Sequence, residues 1–242
     1  MSGEHSNNPF HGTTSRNLNK LGMITDCGMD DQQNFNAITA DCKIECVFND
    51  IKERLIKEIE KHEVIVGCVA WLTDHDIIRS LHNKNVCIVV QKEDFLRPDL
   101  DETRRSDVLR KLYSGVKGSF YNWDFGYSYC GQVIDEDATA IRCVGNLNTS
   151  KNPAHPRMHN KFLIMGKIED NAVCPSVISP EVLWTGSFNF TKTATFSFEN
   201  ALLVREPLIM GAYLNQFMQI YHFSESLDWD SPWVAPVMRI GT

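Results

Sequence analysis

Four side chains in two short runs carry most of the chemistry this sequence can offer. His159 and Lys161 lie in Met158-His-Asn-Lys-Phe-Leu-Ile-Met165, and Ser187 and Asn189 lie in Gly186-Ser-Phe-Asn-Phe190. Each pair is spaced i, i+2, so an extended backbone turns both members to one face and their neighbours to the other. His159 and Lys161 then oppose Asn160, Phe162 and Ile164, while Ser187 and Asn189 oppose Phe188 and Phe190. If the two polar faces adjoin, they assemble an imidazole, an ammonium, a hydroxyl and an amide. That set suits a phosphoryl group. Lys161 supplies a point charge, Ser187 and Asn189 donate to non-bridging oxygens, and Gly186 lets the backbone come close to a ligand. Neutral His159 can attack phosphorus, splitting one hard displacement into two through a covalent phosphohistidine. Glu199, beside the run Asn200 to Val204, is the candidate carboxylate for orienting that imidazole. The sequence offers these residues no cluster of acids of magnesium-ligand character. Lysine and neutral donors are expected to take the part a metal has elsewhere, and no metal or cofactor is called for.

Taken singly, each residue has a plainer use. A lone histidine on a half-buried strand is ordinarily structural, and a lone lysine lays its stem along the surface. The joint occurrence, with Glu199 following, is what points to catalysis. His155 sits in Asn152-Pro-Ala-His-Pro-Arg157, where the prolines predict a rigid loop, and is a candidate substrate contact at the pocket rim.

The same residues carry a family resemblance. His159-Asn-Lys161 and Gly186-Ser-Phe-Asn189 resemble the two halves of the phospholipase D superfamily signature, His-x-Lys and Gly-Ser-x-Asn. The strings Met-His-Asn-Lys-Phe, Thr-Gly-Ser-Phe-Asn-Phe-Thr and Glu-Asn-Ala-Leu-Leu-Val are similar to its short nuclease branch, which has one motif per chain. The resemblance covers roughly Asn49 to Trp229 and is strongest from Met158 to Val204. It implies His159 as nucleophile, Lys161, Ser187 and Asn189 as phosphate ligands, and Glu199 as the group orienting the histidine. It also implies a homodimer in which the histidine of a second copy serves as general acid and then as base, since one histidine cannot easily be nucleophile and leaving-group acid at once. Two departures stand out. The family's usual Asp five residues after the lysine is Gly166 here, and the segment Lys167 to Pro180 is longer than the family's short hairpin, which suggests a loop that shapes access.

The elements that must position these residues read as an α/β fold, with a mostly parallel central sheet flanked by helices, phospholipase D-like. Asn49 or Asp50 can cap a helix in which Ile51, Leu55, Ile56 and Ile59 recur at helical spacing. Val64 to Leu72 is a continuous apolar run, as expected of a strand buried on both faces. A short helix capped by Thr73 or Asp74 and a second buried strand, Val86 to Val90, complete a βαβ unit, which implies a parallel pair. Glu102 to Tyr113 reads as a charged helix. Gly115 to Gly131 is rich in Gly and aromatics, which can stack nucleobases but more often close a core or interface. Strands are expected at Thr139 to Val144, Met158 to Met165, Val182 to Thr185 and Asn200 to Val204, and a helix from Pro207 to about Phe223. In domain terms, residues 1–45 read as a flexible or loosely packed extension, 46–230 as the catalytic domain and 231–242 as a tail.

Composition narrows the function classes. The 242 residues are 43% hydrophobic and 23% charged, unlike a disordered chain or a coiled coil. No apolar run reaches the roughly 20 residues that span a bilayer, and the polar start lacks a secretory core. The expected setting is cytoplasmic, without stable membrane association. The eight cysteines are scattered with no Cys-x-x-Cys, as for reduced thiols. Net charge is −7, which disfavours polyanion binding by the whole surface, yet Lys151 to Arg205 holds six basic residues against four acidic ones. A locally positive segment suits a phosphodiester. The expected partner is therefore a nucleic acid substrate, DNA or RNA. A phospholipid hydrolase or transferase with the same site, or a non-catalytic nucleic-acid-binding scaffold, are the alternative readings. The first of these calls for an apolar entry surface or interfacial helix, which the sequence does not display.

Overall fold

Alternate residues of the strand Val64–Val69 face different helical layers, which is why the run is apolar throughout. Ile65 and Val69 pack with Leu55, Ile59, Ile77, Leu109 and Tyr113 on one face. Val64, Val66 and Cys68 pack with Met210, Leu214, Phe217 and Tyr221 on the other. The computed structural model describes residues 23–25, 28–30, 36–93, 96, 104–118, 123–124, 129–130, 140–145, 157–169 and 177–227.

In chain order the strands are β1 (Met23–Thr25), β2 (Gly28–Asp30), β3 (Ala37–Ile38), β4 (Ile44–Val47), β5 (Val64–Val69), β6 (Asn85–Gln91), β7 (Trp123–Asp124), β8 (Tyr129–Cys130), β9 (Ile141–Val144), β10 (Lys161–Glu169), β11 (Val177–Gly186), β12 (Ala201–Val204) and β13 (Glu225–Ser226). The helices are α1 (Ile51–Lys61), α2 (His75–Ser80), α3 (Arg104–Ser114) and α4 (Pro207–His222). Nine strands form one sheet in the order β13-β9-β6-β5-β10-β11-β12-β4-β3. Helices α1 to α3 cover one face and α4 the other.

The α/β class agrees with the sequence, but the sheet is mixed rather than mostly parallel. The βαβ unit does give a parallel β5–β6 pair, extended by β9. All other neighbours in the large sheet are antiparallel. An apolar run buried on both faces looks the same whichever way its neighbour points, so direction is legible only where a short crossover forces it. Strands β3 and part of β4 fall within the 1–45 stretch expected to pack loosely. Both are short: β4 pairs with β12, and exposed β3 pairs with β4 at the edge of the sheet, which leaves little side-chain periodicity to read.

The segment Lys167 to Pro180 is not simply a loop. Its two ends continue β10 and β11 as a hairpin, paired from Phe162–Thr185 out to Glu169–Val177, with a register shift at Met165/Gly166. The side chain missing at Gly166 has a reason there: a Cβ would collide with the Ser179 carbonyl oxygen. The aromatic segment Gly115 to Gly131 lies mostly outside the described residues.

Local capping ties the layers together. Asp74, the cap of α2, accepts from the Asp76 and Ile77 amides. It also receives Lys52 of α1 at 2.9 Å. Asp50 precedes α1 without a side-chain cap bond. Buried Glu58 instead anchors that helix, gathering Arg54, Lys61 and Arg205 at 2.5, 3.0 and 3.3 Å.

Candidate active site

The site forms where β5 ends and β10 begins. Lys161, the first residue of β10, pairs with Val69 at the end of β5. One step earlier, the Asn160 carbonyl accepts from the Ala70 amide at 2.8 Å. The Met158 amide donates to Gln91 Oε1 at 2.7 Å, so the end of β6 also holds the segment. His159 therefore precedes the strand, in extended backbone, rather than lying within it. On the other side of β10, β11 ends at Gly186, and Ser187 to Phe190 run on past the sheet. The Phe190 carbonyl accepts from the Thr73 and Asp74 amides, both at 2.9 Å. Three chain segments (69–74, 158–161 and 186–190) are thus stitched together by backbone bonds.

The alternation expected of Gly186-Ser-Phe-Asn-Phe190 survives beyond the strand. Phe188 and Phe190 are buried in the core, Ser187 is exposed, and Asn189 is half-buried with its Oδ1 buried and without a hydrogen-bond partner among the described residues. Gly186 is required by its own chain, because a Cβ there would strike the Asn200 carbonyl oxygen across the β11–β12 pair. His155 lies outside the described residues.

Two side-chain clusters result. In the first, the Lys161 ammonium lies 3.2 Å from Nδ1 and 3.4 Å from Nε2 of His159 and donates to the His159 carbonyl at 2.9 Å. Trp71, just past β5, meets the imidazole edge to face, with ring centroids 5.0 Å apart and planes at 80°. Its indole also lies under the Lys161 ammonium, 5.7 Å from the ring centroid. In the second cluster, Ser187 Oγ donates to Glu199 Oε2 and accepts from the Asn200 amide at 3.1 Å and from Asn200 Nδ2 at 3.2 Å. Glu199 is thus engaged by Ser187 within the chain. Its charge also reaches Lys161, where it works to hold the ammonium protonated.

The electrostatics favour a neutral imidazole. Partial burial lowers the His159 pKa below its ordinary value, and the nearby positive charges of Lys161 and Arg157 lower it further. Burial also lowers that of Lys161, with Glu199 opposing. A neutral histidine keeps a nitrogen lone pair, and the adjacent ammonium offers positive charge where a phosphoryl oxygen could sit.

Among the described residues no group of three or more His, Cys, Asp or Glu is placed to hold a metal ion. Nor is any described helix long and apolar enough to cross a membrane.

Sequence reasoning missed Trp71, Gln91 and Asn200. Trp71 lies within the apolar run Val64 to Leu72, where an aromatic reads as core. Its signal was its position, at the carboxyl end of a parallel strand, where open α/β sheets gather ligands. Asn200 directly follows Glu199, and nothing in its type marked it.

No protein-family model matches this chain. It is 29% identical over 229 residues to the uncharacterized protein L381 of Acanthamoeba polyphaga mimivirus, covering 89% of this chain and 75% of that protein. Among solved structures it is similar to NucT from Helicobacter pylori, with a TM-score of 0.47 and 13% identity over 74% of this chain and 94% of that one. It is also similar to the phospholipase D family member Nuc from Salmonella typhimurium, with a TM-score of 0.45 and 17% identity over 78% and 98%. Likenesses at this level decide nothing about activity, which has to be argued from the side chains.

Proposed function

We propose that this chain is a phospholipase D-like, metal-independent phosphodiesterase that hydrolyses nucleic acid through a phosphohistidine intermediate. One observation carries the reading: an exposed imidazole, biased toward its neutral form, has a buried lysine ammonium within 3.2 Å of its ring. A lysine in that place is poorly explained by packing, since burying an ammonium costs free energy unless something anionic meets it.

In the proposed first step, a ring nitrogen of His159 attacks phosphorus. The P–N bond forms as the bond to the leaving oxygen breaks, and a general acid protonates that oxygen. Lys161 turns from the imidazole to a non-bridging oxygen, and Ser187 and Asn189 donate to the phosphoryl group. In the second step water attacks phosphorus, a general base takes its proton, and the P–N bond breaks to return His159. The acid and base role falls to the His159 of a second copy across a two-fold axis. Glu199 holds Ser187 within the chain, and its remaining acceptor capacity suits a histidine donor in the completed dimer.

Nucleic acid is the preferred substrate because Lys151 to Arg205 is locally positive in a chain of net charge −7. The test is cleavage of DNA, RNA and phosphatidylcholine in excess EDTA, with His159→Ala alongside. Nucleic-acid cleavage that survives chelation and disappears in the variant is expected. Strict dependence on a divalent cation would overturn the mechanism, lipid turnover alone would overturn the substrate, and inactivity on all three would favour a binding scaffold. Light scattering tests the shared site, and an active monomer would refute it.

A further inference from the structure

We infer that Trp71 is a positioning residue that sets the orientation of the His159 imidazole and supports the charge on Lys161, a role that rests on the phosphodiesterase reading above. His159 is exposed and precedes β10, so its own backbone does little to fix its ring. Among the described residues, Lys161 and Trp71 both lie against that ring. Lys161 cannot be the holder during the reaction. Its ammonium sits against the ring nitrogens, one of which must present its lone pair to phosphorus, and it must leave them to meet the phosphoryl oxygens. The indole remains.

The geometry fits that task. Centroids 5.0 Å apart with planes at 80° make an edge-to-face pair, a favoured aromatic arrangement that restricts rotation of the smaller ring. The indole is itself fixed: Trp71 Nε1 donates to Glu93 Oε1 at 2.9 Å. The chain on either side of it is locked by hydrogen bonds from the Ala70 and Thr73 amides to the Asn160 and Phe190 carbonyls. The same ring lies 5.7 Å from the Lys161 ammonium, within the range where an aromatic face stabilises a cation. Burial lowers the pKa of Lys161 and Glu199 opposes it. A cation over an indole face is favoured on the same side, as the lysine needs to meet phosphate. One indole thus serves both members of the His-x-Lys pair, and Glu93 holds the indole.

The experiment compares Trp71→Phe, Trp71→Leu and Trp71→Ala with the unsubstituted chain in two readouts. In single-turnover cleavage, Trp71→Ala is expected to lower kcat by about 10²-fold with little change in KM, the size associated with a misaligned reacting group. Trp71→Phe keeps an aromatic edge and is expected to lose about tenfold or less. Trp71→Leu, which fills space without a ring, should behave like Trp71→Ala. Equal activity of the Leu and Phe variants would overturn the inference, because packing alone would then suffice. A lower thermal midpoint in Trp71→Ala that fully accounts for the lost activity would overturn it as well.

The second readout needs no substrate. In NMR titrations the His159 ring resonances should lose an indole ring-current shift in Trp71→Ala, and the His159 pKa should rise as the ring becomes better solvated. Unchanged His159 resonances and pKa would refute the contact. A wild-type chain that cleaves nothing but shows these NMR changes would sink the phosphodiesterase reading while leaving the placement of His159 by Trp71 in force.

Discussion

Replacing Lys161 with methionine separates catalysis from stability, because the structure predicts opposite outcomes for the two. Lys161 is only 9% exposed and opens β10. Its ammonium does two things in the resting chain, donating to the His159 carbonyl at 2.9 Å and standing beside the imidazole. Methionine keeps most of the stem volume and removes the charge. The lost hydrogen bond costs about 1 kcal/mol. Against it stands the cost of keeping an ammonium partly desolvated. The Lys161 pKa is lowered by burial, so between its folded and unfolded values the unfolded chain binds more protons and stability rises with pH. Below that window the charge is a net burden on the fold. The two effects oppose each other, and the unfolding free energy should change by no more than about 1 kcal/mol in either direction.

Catalysis has no such compensation. Removing one neutral oxyanion donor typically costs about 10²–10³ in kcat, and a full charge on the phosphoryl group should cost at least that much. The assay pairs single-turnover cleavage with urea denaturation of the same preparations. Retention of more than about a tenth of the activity, or a stability loss beyond about 2 kcal/mol, would refute the placement of Lys161 as a phosphate ligand rather than a structural residue.

Three further outcomes follow from the geometry. The His159 pKa is lowered by burial and by the Lys161 and Arg157 charges, so the acid limb of kcat/KM should fall below the ordinary histidine value of 6.5; in Lys161→Met that limb should move up, and a limb that stays put would contradict the coupling. Gly166→Asp, which restores the phospholipase D pattern, should not raise activity. It should cost about 1–3 kcal/mol in denaturant unfolding because its Cβ has no room beside Ser179, and a stable, faster variant would overturn that reading. Asn200→Ala removes the side-chain donor to Ser187 Oγ but leaves the backbone one, so activity should fall about fivefold to tenfold with stability little changed; no loss would show that the amide does not hold the serine.

What the sequence by itself determined was residue types and local order. His159 and Lys161, Ser187 and Asn189, and Glu199 could be picked out because i, i+2 spacing on extended backbone is a local property, and the buried Phe188 and Phe190 kept that alternation even where the strand had ended. Helix α1, the β5–α2–β6 unit and α4 were legible because apolar periodicity and short crossovers act over one or two turns. Tertiary structure decided everything that depends on which strand lies beside which. Inserting β10 antiparallel between β5 and β11 brings Trp71 to His159 and lays 186–190 against 70–74, a choice made by long-range backbone pairing that apolar runs buried on both faces do not encode. It also gave Glu199 to Ser187 within the chain and made Gly166 a packing requirement, because hydrogen-bond partners and the room for a Cβ depend on neighbours far away in sequence.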